Sequence, residues 1–194
     1  MKAKPDGVRV KGATVRRRIG LALAVASSAL VFYGCDTLSE GGETLVLQPK
    51  EVTFRFEFSG DDLSAGQTVT VNSVNVADLA DELLDDGYEK NEVVGAQVSS
   101  AEIRRVSTNY SLNELSDVSI ELRATGLSAA TVASASSLPN QTTASLNVGP
   151  TRDVESFVRQ PSFSAVAEFS QSGLGPGDYV LSVTLELRIE VESL

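Results

Sequence analysis

The sequence predicts an all-β fold, an antiparallel β-sandwich of about 8–9 strands with one short covering helix. Three observations carry that expectation. From about Leu45 onward, apolar and polar residues alternate with a period of two, as in strands with one buried and one wet face. Glycine- and proline-bearing breakers, among them Gly60, Gly126, Pro139, Gly149, Pro161 and Gly173, cut the alternation into short runs. The alternation is one-sided, which suits antiparallel pairing, because parallel strands are buried on both faces and read as continuous apolar runs.

The first clear strand is "EVTFRFEFSG", where Val52, Phe54, Phe56 and Phe58 alternate with Thr53, Arg55, Glu57 and Ser59. Phenylalanine lacks a polar handle, so this row reads as core and not as a sugar platform. Further strands are expected at 67–76, at 92–107 with an interruption, and at 117–125, 130–136, 142–148 and 162–170. The last run, "DYVLSVTLELRIEVESL", puts Tyr179, Leu181, Val183, Leu185, Leu187, Ile189 and Val191 on one side. Residues 179–191 of an extended chain span about 43 Å, long enough that a bulge or a switch between sheets is expected. Its other side, with Glu186, Arg188, Glu190 and Glu192, reads as a solvated face.

One segment breaks the period. In "NVADLADELLDDGY", Asn75 and Asp78 form an acidic capping pattern, Val76, Leu79, Ala80, Leu83 and Leu84 form a helical stripe, and Gly87 stops it. This predicts a helix over 76–86 that covers an end or an edge of the sandwich. One helix among so many strands cannot supply parallel crossovers. "SLNE" at 111–114 predicts a single helical turn ahead of the next strand.

Charge divides the chain in two. Seven basic residues and one acid, Asp6, precede residue 19; from Cys35 onward there are 9 basic and 25 acidic residues, a balance of −16. The basic part ends in Arg16, Arg17 and Arg18 and is followed by an uncharged apolar run from Ile19 to about Tyr33. Fifteen residues fall short of the roughly 20 needed to span a bilayer and match the apolar region of a secretory signal. The expected organisation is a signal segment at 1–34, a tether at 35–44 and a single sandwich domain at 45–194.

Cys35 is the only cysteine, and it stands where the apolar run gives way to "DTLSEGGETL". It has no partner for an internal disulfide, and a free thiol is a liability in an exported chain. "VFYGC" (31–35) resembles the lipobox of bacterial lipoprotein precursors. The resemblance implies a diacylglycerol thioether on Cys35, cleavage between Gly34 and Cys35, and acylation of the new amine. The pattern departs at Phe32 and Tyr33, where such precursors usually carry leucine and a small residue. Each buried methylene of an anchor is worth about 0.8 kcal/mol, and two or more chains hold a protein stably at a membrane.

The chemistry-bearing residues are sparse. The chain has no histidine, which removes the usual neutral-pH base and histidine-bearing zinc sites. No nucleophile-elbow, phosphate-loop or dinucleotide pattern occurs. No catalytic residue, no cofactor and no enzyme activity are expected. Calcium ligands, if any, would come from Asp61 and Asp62 in a turn, Asp85 and Asp86 at the helix end, and Glu92 with Glu89 nearby. The acidity of the body disfavours nucleic acid and direct adhesion to anionic lipid.

The stretch "DLADELLDDGYEKNEVVGAQVSSAEIRRVS", behind an export signal, resembles poorly characterised secreted β-sandwich lipoproteins of the Bacteroidetes. That resemblance implies the sandwich and no defined activity. The expected function is that of a lipid-anchored cell-envelope protein with a structural or binding role, its partner an envelope protein or a glycan. A calcium-dependent or glycan-binding surface module is the alternative, and a carboxylate-pair hydrolase a further one.

Overall fold

Eight strands pair as one long antiparallel hairpin rolled on itself. The computed structural model describes residues 43–60, 66–150 and 152–192. The strands are β2 (Lys50–Ser59), β3 (Thr68–Asn72), β4 (Val93–Arg105), β5 (Leu115–Arg123), β6 (Ala130–Ser137), β7 (Thr143–Val148), β8 (Ser164–Gln171) and β9 (Asp178–Glu192). Pairing is nested: β2 with β9, β3 with β8, β4 with β7, β5 with β6. Rolling the hairpin adds two further antiparallel pairs, β4 with β9 and β5 with β8. The outcome is a sheet β2-β9-β4-β7 and a sheet β3-β8-β5-β6, the arrangement of a jelly-roll sandwich. A ninth strand, β1 (Thr44–Val46), lies along the far end of β9, pairing with Glu190 to Glu192. The predicted antiparallel sandwich and its strand number are therefore found.

Both sides where the sheets meet are laced together. On one side β7 serves both sheets, its residues 143–146 pairing with Ala101–Arg104 of β4 and Asn147 and Val148 pairing with Ser134 and Ala133 of β6. On the other side, Phe56 of β2 bridges Ser73, and the Val74 N–H donates to the Arg55 carbonyl at 2.8 Å. Asn75 completes that seam with its side chain. Its Oδ1 accepts from the Arg55 N–H and its Nδ2 donates to the Thr53 carbonyl, each at 2.7 Å. Such closure leaves less strand edge open to stray pairing.

The core follows from the alternation. Every inward residue of β9 from Tyr179 to Val191 is buried, as are Val52, Phe54 and Phe56 of β2. Each such large side chain contributes about 1.5–3 kcal/mol on burial. One end is aromatic: Phe58 lies 5.0 Å from Phe169 and 5.4 Å from Tyr179, and Tyr110 meets the Tyr179 ring edge-on at 5.1 Å. The expected break in the C-terminal strand falls elsewhere. β9 keeps one continuous register with all ten residues of β2. The register shifts lie in its neighbour, between Val93 and Gly95 and between Val98 and Ser100 of β4. The central strand stays regular and the strand beside it absorbs the mismatch as bulges.

The helix is shorter than 76–86. α1 runs from Ala80 to Asp85, and Val76 and Leu84 of the expected stripe are 63% and 64% exposed. The residues ahead of it are spent on the sheets. Asn75 is taken up by β2, and Ala77 exchanges backbone hydrogen bonds with Phe163 at 2.7 and 3.0 Å. Asp78 then marks the start, its Oδ1 accepting from the Ala80 N–H at 2.9 Å. Leu79 and Leu83 fill the core, and Gly87 ends the turn with φ +90°. The predicted turn at 111–114 is a 3₁₀ turn, Leu112–Glu114. A second short helix, α2 (Glu155–Val158), leaves no mark in the sequence pattern, since one turn is too short to show a period; it buries Phe157 and Val158.

Candidate binding groove

Of the residues the sequence singles out, Gly34, Cys35, Asp61 and Asp62 lie outside the described residues. Asp85 is exposed at the end of α1. Asp86 is ion-paired with Lys50 at 2.7 Å. Glu92 turns back on its own backbone, where its Oε2 accepts from the Glu89 N–H at 2.6 Å, and the Glu89 side chain returns the contact as a capping box. Asp85, Asp86 and Glu92 are not brought together: among the described residues no three His, Cys, Asp or Glu side chains could share a metal ion.

Three other carboxylates, Glu51, Glu102 and Glu186, line one shallow groove on the outer face of β2-β9-β4. Glu51 and Glu186 are directly opposed on β2 and β9, and Glu102 stands opposite Thr184 in the next row. Serine hydroxyls satisfy Glu186, with Ser99 Oγ donating to its Oε1 at 2.9 Å and Ser100 Oγ to its Oε2 at 3.4 Å. Like charges directly opposed on a sheet cost stability.

A groove of about 590 Å³ beside β4 has a different character. It opens where β7 parts from β4 to join β6. Beyond that point the edge of β4 is taken by 152–154: the Val98 N–H donates to the Arg152 carbonyl at 2.9 Å, and the Val154 N–H to the Ala96 carbonyl at 2.8 Å. Ser99, in the bulge after Val98, is among the lining residues, and its hydroxyl is directed at Glu186 of β9. Gly149 forms part of the other wall and packs so tightly that a Cβ there would stand 3.1 Å from the Thr131 carbonyl oxygen. Three irregularities thus converge: a strand changing sheets, a bulge and a short added edge.

Two guanidinium groups line this groove and no carboxylate does. Arg188 stands opposite Gln97 across β9 and β4, and its Nη2 pairs with Glu190 Oε1 at 3.0 Å. Arg152 is exposed and forms no ion pair among the described residues. The distribution is notable because only 9 basic residues stand against 25 acids after Cys35. The alternation puts Arg188 on a solvated face and assigns Arg152 no role. Arg152 does follow the Gly149-Pro150 breaker, in a body with few cations.

No protein-family model matches the chain, and no curated protein matches it. Solved structures give distant likenesses. One is from work on the triple jelly roll fold and turret assembly in an archaeal virus, at 12% identity and TM-score 0.35, covering 77% of this chain and 31% of that one. Another is from Sulfolobus turreted icosahedral virus, at 14% identity and TM-score 0.33, covering 78% and 32%. A third is desmodium yellow mottle tymovirus, at 11% identity and TM-score 0.27, covering 84% and 97%. The chain spans about a third of the first two proteins.

Proposed function

We propose that this chain is a cell-envelope protein, lipid-anchored at Cys35, whose sandwich works by binding. The observation that carries the anchor is the position of the sole cysteine, between a basic apolar leader and an acidic body. Eight residues, 36–43, separate it from the start of β1 at Thr44. Fully extended, a stretch of that length reaches at most about 30 Å, so the sandwich would be held close to the membrane surface. The binding role draws support from the sandwich architecture and from its acid-free groove.

The test is Cys35→Ser, followed by the share of protein retained in the membrane fraction and by the intact mass. Expected are loss of the lipid mass, a block in processing and a changed membrane share on detergent-free washing. Unchanged mass and processing would overturn the anchor.

A further inference from the structure

We propose that the groove at the β4–β7 parting is a binding site for a carboxylate-bearing saccharide of the uronic-acid type. The inference deepens the binding role above and rests on it, but it does not depend on the anchor.

Charge points to the anion. The body carries −16, yet this groove presents Arg152 and Arg188 with no acid among its lining residues. A guanidinium is a planar fork that matches a carboxylate with two parallel hydrogen bonds. Arg188 is oriented by Glu190 at 3.0 Å, which neutralises one of the two charges. Arg152 is left as the principal contact, and the site suits one carboxylate per bound sugar. Glu186 and Glu190 stand just outside the lining, against Ser99 and Arg188, so the carboxylate is recognised by direct contact with Arg152 and not by long-range steering.

The remaining lining suits a sugar. The Gln97 amide offers both donors and an acceptor. Ser99 donates to Glu186 through the carbonyl at 3.0 Å and Oε1 at 2.9 Å, which leaves its oxygen lone pairs to accept from a sugar hydroxyl. Val148 and Pro150 give a small apolar lip against which the C–H face of a pyranose can lie. The volume, about 590 Å³, falls in the range of small-ligand pockets. Bulges are over-represented beside binding and active sites, and one lies in this lining, between Val98 and Ser100.

The experiment is a calorimetric titration of the purified full chain in detergent with three probes: tri-galacturonate, galactotriose and tri-glutamate. Tri-galacturonate should bind, galactotriose at least tenfold more weakly, and tri-glutamate likewise. Arg152→Gln should weaken tri-galacturonate at least tenfold, and Arg188→Gln less. Circular dichroism of the two exposed-site variants should match the parent. Absence of tri-galacturonate binding, or binding unchanged in both variants, would overturn the site. Equal affinity for tri-glutamate would overturn the saccharide, since the groove would then read charge alone. These outcomes are independent of the membrane-partition result for Cys35→Ser.

Discussion

Lys90 Nζ stands 2.6 Å from Asp78 Oδ1 and 2.6 Å from the carbonyl oxygen of Gln160, with Pro161 O at 3.0 Å. One ammonium thus ties the start of α1 to the loop after α2, at the end of the sandwich where both short helices lie. Its side chain is only 17% exposed, whereas that of Asp78 is 56% exposed. Lys90→Met should therefore cost more than Asp78→Asn, about 1–2 kcal/mol against under about 1 kcal/mol, because it strands two carbonyls as well as the carboxylate. Urea denaturation of both single variants and the double variant measures the difference.

The same pair sets an acid limb. The hydrogen bond from Lys90, and then that from the Ala80 N–H, hold the Asp78 carboxyl below its ordinary value of 3.8. A depressed folded-state pKa means stability that is fully present above the unfolded value and lost as pH falls through the folded one. Between pH 5 and 2 the parent should lose stability more steeply than Asp78→Asn. Equal slopes in thermal melts across that window would count against the ion pair.

Gly60 cannot accept a side chain. A Cβ there would stand 2.2 Å from the Gly175 carbonyl oxygen and 2.6 Å from the Tyr179 ring, and that carbonyl also accepts the Tyr179 hydroxyl at 2.6 Å. Gly60→Ala must push a backbone segment aside and should cost about 1–3 kcal/mol. Gly66→Ala is the control: it has φ +81° and open space around it, so only the left-handed backbone strain of roughly 1 kcal/mol applies. Melting temperatures of the two variants should fall in that order.

Asn75 acts as a piece of strand, so its loss should be local. Asn75→Ala should cost about 1 kcal/mol and speed hydrogen exchange of the Arg55 amide, which points away from β9 and would lose the acceptor that Asn75 supplies. Asn75→Asp keeps the acceptor for Arg55 and removes the donor to Thr53. It should protect the Arg55 amide better than alanine does while remaining less stable than the parent.

The opposed pair Glu51 and Glu186 should respond in the other direction. Glu51→Thr removes a like-charge contact and extends the hydroxyl row of Thr53 and Thr184, whose oxygens are 2.8 Å apart. The expected gain is roughly 0.2–1 kcal/mol, smaller at high salt. A loss of stability at low salt would show that the pair is relieved in another way.

The period of two told which residues face inward but not which strands pair. That is why Tyr179 to Val191 was legible as a buried row while the nested order was not. Local pattern also misled at 75–79, where Asn75 and Ala77 satisfy helix grammar and yet hydrogen-bond to β2 and to Phe163. Tertiary hydrogen bonds outweighed propensity there. The groove was illegible for a related reason. Arg152, Ser99 and Arg188 are 53 and 36 residues apart in pairs, and only the parting of β7 from β4 gathers them.

The nesting has a consequence for how the chain is made. Phe54 pairs with Val183, 129 residues further on, so the outermost turn of the hairpin closes last. Contacts this remote in sequence are slow to form, because a long loop must be ordered before any of them contributes. During synthesis β2 waits, with Phe54 and Phe56 uncovered, until β9 has emerged. Under the export proposed above, that order would leave β2 without its partner until nearly all of the chain has been made.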